Sequence, residues 1–163
     1  MPISWDMVKR RKIHEEIQQS KPFGSLIEEA GLALWRTADV VRDRMAAVVE
    51  PAGVTVQQYN VLRILRGAGP DGLHTLAVAE RMIERAPGIT RMIDRLEAKG
   101  LVSRSRLDND RRCVVCRISN RGLELLTELD QPVAAAHASV LGALDPADAG
   151  QLIEFLDAIR TAG

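Results

Sequence analysis

Between Ser25 and Val49 the apolar residues Leu26, Ile27, Leu34, Val41, Met45 and Val48 recur close to the 3.6-residue period of one helix face, and Pro51 with Gly53 closes the run. The spacing predicts a long helix with one apolar stripe. Thr55 then opens Thr-Val-Gln-Gln, a capping-box pattern in which the threonine caps the Gln58 amide while the Gln58 side chain reaches back. Tyr59, Leu62 and Leu65 follow on one stripe, and GAGPDG at 67–72 ends this second helix. A short third helix is expected from about Thr75 to Ile83, with Leu76, Ala79 and Ile83 inward. Pro87 suits a first helical turn, because its missing amide hydrogen has no partner there anyway. After it Ile89, Met92, Ile93 and Leu96 fall at i, i+3, i+4 and i+7, and Lys99-Gly100 supplies a basic last turn and a glycine C-cap.

The pattern then changes period. LVSRSRL and RCVVCRI, with their β-branched residues, read as two strands joined by DNDR, whose Asp and Asn tolerate the positive φ of a tight turn. Ser119 offers an N-cap to a long helix through Leu123, Leu126 and Leu129, with Pro132 expected to bend it or start a new segment. Asp145-Pro146 caps a last helix in which Leu152, Phe155, Leu156 and Ile159 again stand at i, i+3, i+4 and i+7. Residues 1–22 are polar and basic, and their mixed charges suggest a helical arm or a frayed extension. The expected fold is mainly α with a small β hairpin.

Two short helices followed by a hairpin have a specific use. The helix at 87–99 has a buried stripe on one side and Thr90, Arg91, Asp94 and Arg95 on the other. A helix-turn-helix needs that division, since its second helix packs by one face and reads a groove with the other. A hairpin directly after it is a wing. Arg111 and Arg112 stand beside the turn at its tip, where an arginine enters a narrow minor groove and meets its concentrated negative potential.

Composition sharpens this picture in one respect. The chain has 163 residues, 46% of them apolar, enough for a good core. Its formal net charge is zero, which taken alone argues against a polyanionic partner. Placed along the chain, the charges segregate. Residues 81–121 carry eleven Arg/Lys against five Asp/Glu, a net of +6, and residues 122–163 carry one against seven, a net of −6. A local field of that kind steers a polyanion whatever the total charge.

Other chemistry recedes. The N-terminus, MPISWDMVKRRKIHEEI, has no apolar signal segment, and no run approaches a membrane span; a cytoplasmic protein with no membrane partner is expected. Cys113 and Cys116 lie three apart on a predicted strand, so they point to opposite faces, which opposes an intrastrand disulfide. Zinc needs about four ligands, and no second CxxC or nearby His supplies them. The thiols are therefore read as structural, with no metal and no cofactor. No nucleophile and base pairing, phosphate loop or metal motif marks an enzyme. The rival readings are a winged helix that binds protein and a cysteine-based redox-sensing regulator; arginines on both the second helix and the wing favour DNA.

TVQQYNVLRIL, LAVAERM, APGITRMIDRLEAKGLVSR and DNDRRCVVCRISNRGLELL, in unbroken order, resemble the successive signatures of the MarR family of winged-helix transcriptional regulators. The likeness covers roughly residues 26 to 161, and RLEAKGLVSR followed by DxDRR and IxxxG is its most specific piece. The resemblance implies a homodimer on a pseudopalindromic operator, with recognition helices on the order of 34 Å apart. It divides the chain into an N-terminal extension (1–24), a dimerisation helix (25–50), a winged helix-turn-helix lobe (51–118) and C-terminal dimerisation helices (119–163), the last through Leu152, Phe155, Leu156 and Ile159.

Residue by residue, the family pattern puts Thr90 and Arg91 against base edges, where an arginine pairs bidentately with guanine. Arg85 and Arg95 contact phosphate, which positions without specifying. Asp110 and Arg112 match the Asp and second Arg of the wing's DRR, the carboxylate holding the guanidinium for the minor groove, and Arg111 meets phosphate or steadies the turn. Pro87 departs from the serine or threonine usual near the start of the family's recognition helix, so a hydroxyl contact to phosphate is missing. Family behaviour further implies a repressor relieved by a small aromatic or phenolic effector. Trp35, Tyr59 and Arg63 are the candidate wall and anion partner of its cleft.

Overall fold

Thr55 caps its helix as its sequence requires. Its hydroxyl accepts from the Gln58 amide at 3.2 Å, and Gln58 Oε1 accepts from the Thr55 amide, also at 3.2 Å. That helix is one of seven in the described part of a computed structural model, which covers residues 11–85, 87–107 and 110–161; of residues 106, 107 and 110–113 only the backbone is described. In chain order the elements are α1 (Ile13–Glu16), α2 (Leu26–Val49), α3 (Val56–Ala68), β1 (Leu73–His74), α4 (Thr75–Glu80), α5 (Ile89–Ala98), β2 (Val102–Leu107), β3 (Asp110–Ile118), α6 (Asn120–Leu141) and α7 (Pro146–Thr161). The fold is mainly helical with one small antiparallel sheet. It divides into two compact units, Met45–Ala135 and Met1–Arg44 with Ala136–Gly163.

The unit Met45–Ala135 is built around α3 and α5. Val61, Leu62 and Leu65 of α3, Val78 of α4, and Ile93 and Leu96 of α5 are fully buried. Burying each such side chain contributes roughly 1.5–3 kcal/mol. The turn from α5 into the sheet is set by backbone alone. Gly100, at φ 71°, donates its amide to Glu97 C=O at 2.8 Å, and Leu101 donates to Leu96 C=O at 3.0 Å, a Schellman close that sends the chain straight into β2. Ser119 then starts α6, its hydroxyl accepting from the Gly122 amide at 3.1 Å and donating to Gly100 C=O at 2.7 Å. Gly122 admits no side chain, because a Cβ there would lie 2.5 Å from Leu101 O and 2.7 Å from Ile118 Cγ1.

The structure completes two expectations and corrects two. The expected hairpin forms as β2 and β3, and β1 joins it in a three-stranded sheet of order β1-β3-β2. Leu73 and His74 pair with Cys116 and Val115, and two residues are too few for an alternating pattern to announce a strand. The third helix stops at Glu80, so the i, i+7 pair Leu76 and Ile83 never shares a buried face; these residues are 70% and 81% exposed, and Val78 points inward instead. Pro87 stands outside the first helical turn, since α5 begins at Ile89 behind Gly88, whose φ is 92°. Pro132, expected to bend the helix or to start a new segment, starts none. The buried stripe of Leu126, Leu129, Val133 and Ala136 keeps its phase across it, and that burial offsets the lost backbone bond within one helix, α6.

In the other unit, α7 is capped by Asp145, whose carboxylate accepts from the Asp148 amide at 2.8 Å. Glu16 of α1 pairs with Arg36 of α2 at 3.6 Å. Phe155 and Ile159 of α7 are each 58% exposed, while Leu152 and Leu156 are half-buried. Among the described residues no helix is long and apolar enough to cross a membrane.

Candidate nucleic-acid interface

The face of α5 opposite Ile93 and Leu96 carries Thr90, Arg91, Asp94 and Arg95, all exposed. This division follows from the sequence stripe, and burial of Ile93 and Leu96 fixes the helix's rotation about its own axis. The loop entering α5 is pinned from α3. The Ile83 amide donates to Asn60 Oδ1 at 2.9 Å, and Gln57 Nε2 donates to Glu84 Oε2 at 3.1 Å. Arg85, exposed, follows that pinned segment directly.

The strands β2 and β3 run from Val102↔Ile118 through Arg104↔Cys116 to Leu107↔Asp110, with an irregularity between Arg106 and Leu107 that shifts the register. The backbones of Asp110, Arg111 and Arg112 open β3. Their side chains, with the whole of Asp108 and Asn109, lie outside the described residues, so the wing roles expected for Asp110, Arg111 and Arg112 rest on the sequence.

Two arginines of this sheet hold the structure together. Arg117 Nε donates to Pro70 C=O at 2.9 Å and its Nη1 to Ser105 Oγ at 2.5 Å. Arg104 reaches back to α5. Its Nε and Nη2 lie 2.8 and 2.5 Å from Glu97 Oε2, its backbone amide donates to Glu97 Oε1 at 3.2 Å, and its Nη1 pairs with Asp94 Oδ1 at 2.6 Å. Hydrogen bonding from Arg104 holds the Glu97 carboxyl below its usual pKa. The sequence reading missed this cluster. Its only sequence trace is a pair of carboxylates at i, i+3 followed by an arginine seven residues after the second, and charges so spaced are common on solvated surfaces.

Cys116 is fully buried, and its sulfur lies 3.7 Å from Thr75 Oγ1. Burial pushes its thiol pKa up, which disfavours the nucleophilic thiolate. The side chain of Cys113 is outside the described residues. Among the described residues no group of three or more His, Cys, Asp or Glu is placed to hold a metal.

The three residues proposed for an effector cleft divide between the units. Trp35 is 75% exposed on α2 in the unit that contains α7. Tyr59, 4% exposed, and Arg63, exposed one turn further along α3, belong to the other. Burial raises the Tyr59 phenol, and the positive field of Arg63 opposes that rise.

Comparison with known proteins gives this geometry its family. The family model described as the MarR family matches residues 54–114, the stretch from α3 into β3. The crystal structure of a MarR transcription factor from Planctomyces limnophilus is 40% identical, with a TM-score of 0.65 over 84% of this chain and 99% of that one. CouR from Rhodococcus jostii RHA1, solved bound to p-coumaroyl-CoA, is 26% identical, with a TM-score of 0.72 over 84% and 95%. The HTH-type transcriptional repressor MdtR of Bacillus subtilis is 31% identical over 102 residues, 63% of this chain; the match spans 64% of MdtR, just under two thirds of its length. With a recognition helix of this division, a winged sheet beside it and a relative matched over almost its whole length, the chain belongs to the MarR family of winged-helix, DNA-binding transcriptional regulators.

Proposed function

We propose that the protein is a homodimeric, sequence-specific repressor that binds a pseudopalindromic duplex site and is released from it by a small aromatic anion. The observation that carries this reading is the α5 face, where three of the four exposed side chains are Thr90, Arg91 and Arg95 and the opposite side is locked by fully buried Ile93 and Leu96. A helix fixed in rotation presents the same side chains to every site it meets, which base readout requires. Thr90 and Arg91 read base edges. Arg85 and Arg95 take phosphates, and Arg112, held by Asp110, enters the minor groove with Arg111 on phosphate. Asp94, the one acid on the face, is paired with Arg104 and so repels phosphate less.

Homodimerisation is supported by α7, whose Phe155 and Ile159 remain more than half exposed in the single chain, with half-buried Leu152 and Leu156 on the same helix. Effector control is supported by the aromatic thioester found in CouR, and on α3 the exposed Arg63 offers an aromatic anion a cation one turn from Tyr59.

Fluorescence anisotropy with a duplex from the gene's own promoter region, against a random duplex of equal length, tests the reading. Promoter binding should be tighter and should weaken with salt at roughly −0.9 in log–log slope per neutralised phosphate. Arg91→Ala should cost roughly 1–3 kcal/mol and relax sequence preference. Arg95→Ala should weaken both duplexes alike and flatten the slope by about one per arginine lost. Arg112→Ala and Asp110→Ala should each lower affinity. Equal binding of promoter and random duplex at moderate salt would sink the proposal.

A further inference from the structure

We infer that Arg104 is a positioning residue of the DNA interface, clasping the recognition helix to the root of the wing so that both meet a duplex in one fixed relation; this rests on the DNA-binding reading above. Asp94 and Glu97 stand three residues apart on α5 and so share one side of the helix. A single guanidinium spans them, at 2.6 Å from Asp94 and 2.5 Å from Glu97. The same Glu97 carboxylate also takes the Arg104 backbone amide, so main chain and side chain of one β2 residue are tied to one turn of helix.

The anchor behind the clasp is firm. Arg104 pairs across the sheet with Cys116, which is fully buried, and its own side chain is only 29% exposed. A tie of this kind differs from a lone surface ion pair, whose worth is small, because three groups and a backbone amide fix one geometry. Asp94 lies four residues from Thr90 and three from Arg91, so the helix position held is the one beside the proposed base contacts.

On the wing side, Arg104 stands three residues before Leu107, where β2 ends, about 10 Å along the strand. A rotation of roughly 10° at the root sweeps that end by nearly 2 Å, more than a hydrogen bond tolerates. Without the clasp, a helix seated in the major groove would leave the wing free to miss its phosphates. Lysine cannot replace the arginine. It brings the same charge, but its compact ammonium lacks the planar fork that bridges two carboxylates.

The full-length protein carries the test, with promoter and random duplexes in the same titration. Arg104→Lys keeps the net charge, so random-duplex affinity and its salt slope should stay, while the promoter-to-random ratio falls about tenfold. Asp94→Asn, on an exposed helix position, should lower the same ratio even though removing a negative charge strengthens random binding. In the double variant the ratio should fall no further than in the worse single variant, since both substitutions open one clasp. A merely structural role for Arg104 would lower the melting temperature and leave the ratio of the folded protein unchanged. That result, or additive losses showing Asp94 to read a base by itself, overturns the inference. If Arg104→Lys does not fold, Asp94→Asn decides alone: an unchanged ratio sinks the clasp. Should the wild-type protein itself fail to distinguish the duplexes, it is the DNA reading that has failed.

Discussion

Gly122 shows how much one absent side chain decides. It sits where α6 leaves the sheet, and a Cβ would press on the Leu101 carbonyl and on Ile118 within 2.5–2.7 Å. Both neighbours are held, the carbonyl by the Ser119 amide at 3.0 Å and Ile118 by its pairing with Val102. Gly122→Ala should therefore destabilise the fold by roughly 1–3 kcal/mol, as overpacking does, read as a lower urea midpoint. An unchanged midpoint would mean that α6 shifts freely on its N-terminal turn. The IxxxG spacing in the sequence marks this glycine, while its reason, a carbonyl twenty-one residues upstream, does not show in any local window. Cys116 is a similar case: strand alternation separated it from Cys113, and only the packing shows that it is buried beside Thr75.

At the scale of elements, the helices were legible and their couplings were not. Thr55 and Gln58 close their box as the sequence implies, and α5 buries the stripe that its spacing predicts. The tie between α3 and α6 is different. Arg66 grips Asp130 with two bonds of 3.0 Å, and hydrogen bonding to Arg66 holds the Asp130 carboxyl below its usual pKa. A depressed carboxylate stabilises the fold fully above its unfolded value, about 3.9, and the contribution is lost as pH falls through the lower folded value. Urea unfolding from about pH 5 down to about pH 2.5 should therefore show a shallower loss of stability for Asp130→Asn than for the wild-type chain. Parallel curves would show that Asp130 gains nothing from Arg66. Residues sixty-four apart leave no periodic trace, just as the two-residue β1 leaves none.

For the whole molecule, the zero net charge conceals a +6 stretch that holds α5 and the wing and a −6 stretch that holds nearly all of α6 and α7. The basic stretch serves the proposed polyanion, and the apolar α7 face serves the proposed partner copy. Phe155→Asp with Ile159→Asp, two exposed positions one turn apart, should halve the mass measured by light scattering and lower operator affinity, because one half-site then binds without the other. An unchanged mass would remove this α7 face from the proposed dimer. The sequence by itself determined most of the helices, the exposed face of α5 with Thr90, Arg91 and Arg95, the wing's place after it and the family, because periodicity, caps and turn residues act within a few positions. Tertiary structure alone decided the third strand, the inward turn of Val78 with Leu76 and Ile83 left outside, the glycine contact at Leu101 and the clasp of Arg104 on Asp94 and Glu97. Each of these depends on which distant segments pack together, and that is settled by burial and charge pairing in three dimensions, over separations that local pattern does not span.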